Sequence, residues 1–156
     1  MTTIAWDTKT LAADTLSTGP DDNGVYFGPK IHRTPHGLFA GCGDDGPIQA
    51  ALEWIRAGAP SDERPPPIDA KETLGGLLIR PDGGVAVLSE KFFLIDYFQQ
   101  QAAMGSGGDF ALAFMRMGMS APEAVQRVID LRLDINTGGD VQTLTLNKRK
   151  AGKSKS

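Results

Sequence analysis

Met1-Thr2-Thr3-Ile4-Ala5-Trp6 opens the chain, and Asp7-Thr8-Lys9 separates it from a second short run, Thr10-Leu11-Ala12-Ala13-Asp14. Two short apolar runs around a three-residue polar break predict a tight hairpin, with strands over Thr3–Trp6 and Thr10–Ala13. Met1 stands before a small residue, so ordinary methionine removal is expected to expose Thr2. A terminal threonine carries a hydroxyl and a free α-amine, and the amine's unperturbed pKa of about 8 leaves a useful fraction neutral near pH 7. Nucleophile and general base then share one residue. Many chains begin Met-Thr, so the rest of the sequence has to give this reading its weight. The second run ends on Asp14, and an acid at the end of a buried strand either caps a turn or needs a partner.

With 156 residues the chain is long enough for one domain with a sizeable core. Its composition, 40% hydrophobic and 22% charged, is that of a globular protein, and 19 glycines with 10 prolines imply many tight turns. No apolar run approaches the roughly 18 residues of a membrane span, and no basic segment leads into an apolar core, so neither a membrane partner nor a signal peptide is expected. A single cysteine, Cys42, excludes an internal disulfide and fits a reducing compartment. A cytoplasmic location is expected. Paired-Cys and His-rich patterns are missing, and Gly105-Ser106-Gly107-Gly108 lacks dinucleotide or P-loop spacing, so no metal and no cofactor is required.

Charge is uneven along the chain. Lys148, Arg149, Lys150, Lys153 and Lys155 crowd the end without an acid, leaving 11 basic residues against 19 acidic ones before them. Residues 147–156 read as a basic, solvated, disordered tail after a domain spanning 1–146. No aromatic residue interleaves those charges, so a nucleic-acid partner is not expected.

Residues 17–24 are turn chemistry throughout, and Val25–His32 reads as one strand containing a lone lysine, Lys30. Such a lysine either snorkels to the surface or, if buried, needs an anion nearby. Gly37 to Gly46 is a strand running into a glycine-rich turn. Pro47 to Ala57 has helical spacing, with Gly58 as its stop. A proline-bent loop follows over 59–71. Leu74–Arg80 and Val85–Leu88 form a hairpin around Pro81-Asp82-Gly83-Gly84, and Phe92–Tyr97 is a further strand. Asp109–Gly118 and Pro122–Asp130 are helical, and Ser120 with Glu123 makes a capping box for the second. Val141–Leu146 alternates as a final strand. This order predicts sheets stacked on each other with helices outside, an α+β layered fold.

Several of these pieces come in a telling order. Thr2-Thr3-Ile4, the acid Asp14, Lys30 16 residues later, Ala40-Gly41 before a helix, Gly105-Ser106-Gly107-Gly108 and Asp134-Ile135-Asn136-Thr137-Gly138-Gly139 succeed one another. The set resembles the N-terminal-nucleophile hydrolases of the proteasome β-subunit class, and most closely the bacterial HslV-type peptidases, over residues 2 to about 146. That resemblance implies a four-layer αββα sandwich of two antiparallel sheets flanked by helices. It implies Thr2 as nucleophile with its own amine as base, Lys30 as a neighbouring cation lowering the hydroxyl's pKa, and Asp14 as the lysine's holder. Gly41 would offer its backbone N–H to the oxyanion. Ser106, Asp134 and Thr137 would orient the terminal amine.

Thr137 departs mildly from the family, which more often has serine there. The first hairpin and the whole chain are shorter than usual. Met1 lies directly before the threonine, so no propeptide is expected, and a retained Met1 would silence the site by capping its base. Phe39 is expected beside the substrate cleft. Family members act on peptides or unfolded proteins inside closed rings, which implies a homo-oligomeric ring served by a separate ATP-dependent unfoldase, since no ATP-binding motif is present here. A catalytically silent structural or assembly protein of the same fold is the alternative reading. An amidase of that fold acting on small amides is a weaker third.

Overall fold

The computed structural model describes residues 2–18, 24–97 and 100–146; the readings of Met1 and of the 147–156 tail fall outside them. Ile4–Trp6 (β1) and Thr10–Ala13 (β2) form the expected hairpin, with Ile4 opposite Ala13 and Trp6 opposite Leu11. Asp7 closes the turn, its Oδ1 accepting the Lys9 and Thr10 amides at 2.8 Å each. Side chains alternate faces along a strand, and here both faces are covered. Ile4, Trp6, Leu11 and Ala13 enter one core, while Ala5 and Ala12 enter another. That double burial is why the hairpin reads as nearly unbroken apolar sequence.

The chain continues through Leu16–Thr18 (β3), Val25–Phe27 (β4), Ile31–Thr34 (β5) and Gly37–Gly43 (β6) to the helix Asp45–Arg56 (α1). Leu74–Ile79 (β7), Val85–Leu88 (β8), Leu94–Tyr97 (β9) and Ala102–Met104 (β10) follow, then the helices Gly108–Arg116 (α2) and Ala121–Asp130 (α3), and finally Gln142–Thr145 (β11). One sheet has the order β10-β1-β2-β11, the other β5-β6-β7-β8-β9, and β3-β4 is a separate ribbon; every pairing is antiparallel.

Three apolar clusters define the layers. Between the sheets, Ile4, Trp6 and Leu11 meet Leu38, Leu77, Ile79 and Val85. Outside the five-stranded sheet, α1 buries Ala51, Leu52, Trp54 and Ile55 against Phe39, Leu78 and Leu88. Outside the four-stranded sheet, α2 and α3 bury Met115, Ala124, Val125 and Val128 against Ala5 and Ala12, whose small side chains let the helices sit close. The result is the four-layer αββα sandwich. The capping box also forms, with the Ser120 hydroxyl accepting from the Glu123 amide at 3.3 Å and the Glu123 carboxylate from the Ser120 amide at 3.3 Å. Ser120→Ala is expected to lower stability by about 1 kcal/mol in a urea titration; an unchanged midpoint would show that the cap contributes nothing.

Differences from the sequence reading have local causes. Val25–His32 is two strands, because Gly28-Pro29 interrupts it and Pro29 has no N–H for a ladder. β4 pairs with β3 in the ribbon, so residues 17 and 18 are strand where turn was expected. β10 was not expected at all; Ala102-Ala103-Met104 has no strand signature and becomes one by pairing with β1. α1 starts at Asp45, two residues before the expected Pro47, which sits in its first turn. Phe92 lies in a turn with φ +60°, and β9 begins only at Leu94.

Candidate active site

The end of β2 carries Asp14, which is 0% exposed. A carboxylate so buried needs donors on both oxygens, and it has them. Oδ1 accepts the Lys30 ammonium at 3.0 Å and the Thr3 N–H at 3.0 Å, and Oδ2 accepts the Gly138 N–H at 3.0 Å. The partner is therefore the lysine that puzzled as a strand residue: Lys30 is itself only 9% exposed. Burial pulls its pKa below the ordinary 10.5, with the neighbouring Asp14 carboxylate working in the opposite sense.

Thr2 is buried beside this pair, on the strand end that Asp14 grips through Thr3. The loop 105–107 folds over it. The Gly107 N–H donates to the Thr2 carbonyl at 3.3 Å, and the Thr2 nitrogen donates to Ser106 Oγ at 3.3 Å. Gly105 has φ +93°, and a Cβ there would collide with the Thr2 carbonyl, while one on Gly107 would collide with Thr3 Oγ1. Glycine is thus required at 105 by the close approach of two backbones and at 107 by the Thr3 side chain packed against it.

Ser106 in turn donates its hydroxyl proton to Asp134 Oδ2 at 2.5 Å, and Thr137 does the same at 2.6 Å. With both protons committed to the carboxylate, Ser106 Oγ is left to accept from the Thr2 nitrogen and Thr137 Oγ1 from the Thr3 hydroxyl, 2.7 Å away. Burial pushes the Asp134 pKa up, but the Ser106 and Thr137 hydroxyls and the Asn136 amide outweigh it and hold the group below its usual value of 3.8. Asp134 is accordingly an anion that orders a chain running Thr2–Ser106–Asp134–Thr137–Thr3.

Gly41 lies in β6 and lines the same cleft as Thr2 and Lys30, a cavity of about 640 Å³ whose other walls include Tyr26, Asp44 and Glu72. Its N–H donates to the Lys30 carbonyl at 3.3 Å, near the outer limit for a hydrogen bond. A Cβ at Gly41 would lie 2.7 Å from an Ile48 methyl of α1 and 3.3 Å from the Phe39 ring, so packing also demands glycine here. Across the mouth, the Tyr26 hydroxyl donates to Asp45 Oδ2 at 2.5 Å, tying the β3–β4 ribbon to the first turn of α1. A second hollow of about 410 Å³ lies between α3 and β11, away from all these residues.

The fold brings all seven sequence-predicted residues, Thr2, Asp14, Lys30, Gly41, Ser106, Asp134 and Thr137, to one end of the sandwich. Phe39 does not line the cleft. It is 0% exposed within the α1 core, because its side chain points to the opposite face of β6 from Leu38 and Ala40. Sequence reasoning missed Thr3, Gly138 and Gln142. Thr3 and Gly138 hold Asp14 through backbone N–H groups, which carry no side-chain signal, and Gln142 is unremarkable by type.

The layers and their order are those of the N-terminal-nucleophile hydrolase fold. The chain is similar to eukaryotic HslV from Trypanosoma brucei, at 15% identity and a TM-score of 0.67, over 92% of this chain and 97% of that one. It is similar also to BPH of Thiobacillus denitrificans, solved in complex with epoxomicin, at 16% identity and a TM-score of 0.60, over 94% of this chain and 99% of that one. No family model matches the chain, and no curated protein matches its sequence. Among the described residues, no helix is long and apolar enough to cross a membrane.

Proposed function

We propose that this chain is a threonine peptidase subunit of a self-compartmentalising, HslV-like homo-oligomeric ring, cleaving peptide bonds through Thr2 once Met1 is removed. The observation that carries the reading is the hydrogen-bond chain from the Thr2 nitrogen through Ser106 to Asp134, set against the buried Asp14–Lys30 pair. A buried ion pair is by itself weak evidence for stability. The pair and the chain both make sense as parts that activate a terminal residue.

In the proposed reaction the Thr2 hydroxyl oxygen attacks the substrate carbonyl carbon and its proton passes to the α-amine. The Lys30 charge favours the alkoxide-like state. The Gly41 N–H, weakly held by the Lys30 carbonyl, is shared with the developing oxyanion. The ammonium of Thr2 then protonates the leaving amine as the C–N bond breaks, leaving an ester on Thr2. Water, deprotonated by the amine, cleaves that ester and regenerates the hydroxyl. No cofactor or metal takes part in this scheme. Enclosure in a ring would keep such a peptidase from indiscriminate cleavage, and a separate ATP-dependent unfoldase would feed it.

The pH profile tests the assignment of base and cation. The amine must be neutral and Lys30 charged, so kcat/KM should be bell-shaped. Its acid limb belongs to the α-amine, and its alkaline limb to Lys30, which loses its proton below 10.5. Lys30→Arg should push the alkaline limb upward in any residual activity, since a guanidinium holds its proton more tightly than an ammonium. An alkaline limb that ignores the substitution would remove Lys30 from the scheme. The decisive experiment is an intact mass of purified protein before and after a peptide epoxyketone, which forms a ring with both hydroxyl and free amine. Loss of Met1 with one adduct, absent in Thr2→Ala, supports the peptidase. A retained Met1 with no adduct leaves the silent structural protein.

A further inference from the structure

Gln142 opens β11 opposite Ala13 of β2, one position from Asp14. Its backbone belongs to the four-stranded sheet, yet its side chain reaches the outer strand of the other one. Oε1 accepts the Lys30 N–H at 3.0 Å and the Ile31 N–H at 3.4 Å, while Nε2 donates to the Ile31 carbonyl at 3.1 Å. Among the described residues β5 is an edge strand, with no neighbouring strand on one side. A primary amide presents an acceptor and a donor side by side, and here it stands in for the missing paired residue.

Lys30 sits between Gly28-Pro29 and the start of β5, where the ladder has not yet begun. We propose that Gln142 is a positioning residue: its amide clamps the backbone at Lys30 and Ile31 and so sets where the lysine's Nζ meets Asp14 beside Thr2. The same stretch grips the other half of the ion pair, since the Gly138 N–H holds Asp14 Oδ2. Residues 138–142 therefore fix both charges from one segment. The chemical consequence rests on the peptidase reading; the clamp itself does not.

Gln142→Met keeps the length and removes every hydrogen bond, whereas Gln142→Glu keeps the acceptor for the Lys30 N–H and adds a charge. Both are made in the full-length chain and compared with wild type in turnover of a fluorogenic peptide and in amide hydrogen exchange over residues 28–34. For Gln142→Met, exchange at 30 and 31 should rise and kcat should fall roughly 10- to 100-fold, with KM changing less than about twofold, as expected for a misplaced catalytic neighbour. Gln142→Glu should recover part of kcat and move the alkaline limb upward, because a nearby carboxylate favours the ammonium. Unchanged exchange in Gln142→Met, or a lower melting temperature with wild-type kcat per folded molecule, overturns the proposal. A wild type with neither turnover nor epoxyketone adduct brings down the peptidase reading instead, and exchange then decides the clamp alone.

Discussion

Thr2→Ala is expected to reduce peptide cleavage by at least about 10³-fold while leaving the fold intact. Alanine is small, so Met1 removal should proceed as before and leave the α-amine in place. The substitution then deletes the hydroxyl and the Cγ2 methyl but keeps the α-amine, which separates nucleophile from base. The main-chain contacts that seat residue 2, its nitrogen to Ser106 and its carbonyl from Gly107, do not depend on the side chain. Melting temperature and oligomer mass should therefore match wild type, and Thr2→Ser should restore measurable turnover. Peptidase activity surviving in purified Thr2→Ala would sink the assignment.

Lys30→Ala should be nearly as damaging to activity and, unlike Thr2→Ala, costly to the fold. It strips the ammonium from a carboxylate that is 0% exposed, leaving Asp14 with the Thr3 and Gly138 amides only. Breaking one side of a buried ion pair typically costs about 3–5 kcal/mol, because the remaining charge stays desolvated. Asp14→Asn combined with Lys30→Met removes both charges and should regain much of that stability without regaining turnover. A single Lys30→Ala variant with wild-type melting and kcat would show an ordinary surface lysine. The pH dependence has a definite sign as well. The folded state releases the Lys30 proton below the 10.5 of the unfolded chain, so burying the ammonium costs stability at lower pH, and that cost fades as pH rises toward 10.5.

The elements that carry the core were legible because their residues state their surroundings. Ile4-Ala5-Trp6 and Leu11-Ala12-Ala13 announced a hairpin as two apolar runs around a polar break, and Ser120 with Glu123 marked the start of α3 in advance. Phe39 was misjudged because an aromatic residue beside a glycine turn looks the same whether it faces a cleft or a helix. Which face it takes is settled by the register of β6 against β5 and β7.

From sequence alone came the hairpin, the ordered set of site residues, and the demand that Asp14 and Lys30 each find a partner. That much is local chemistry: a buried charge announces its need by type and neighbours. Tertiary structure decided what joins across long separations. Ala102–Met104 is a strand only because β1 has an open edge, and Gly138 serves Asp14 through an N–H that every residue but proline possesses. Gln142 reaches Lys30 over 112 positions of chain. Pairing edges and backbone donors are generic groups, so their partners are chosen by where the fold places them and leave no mark in residue type.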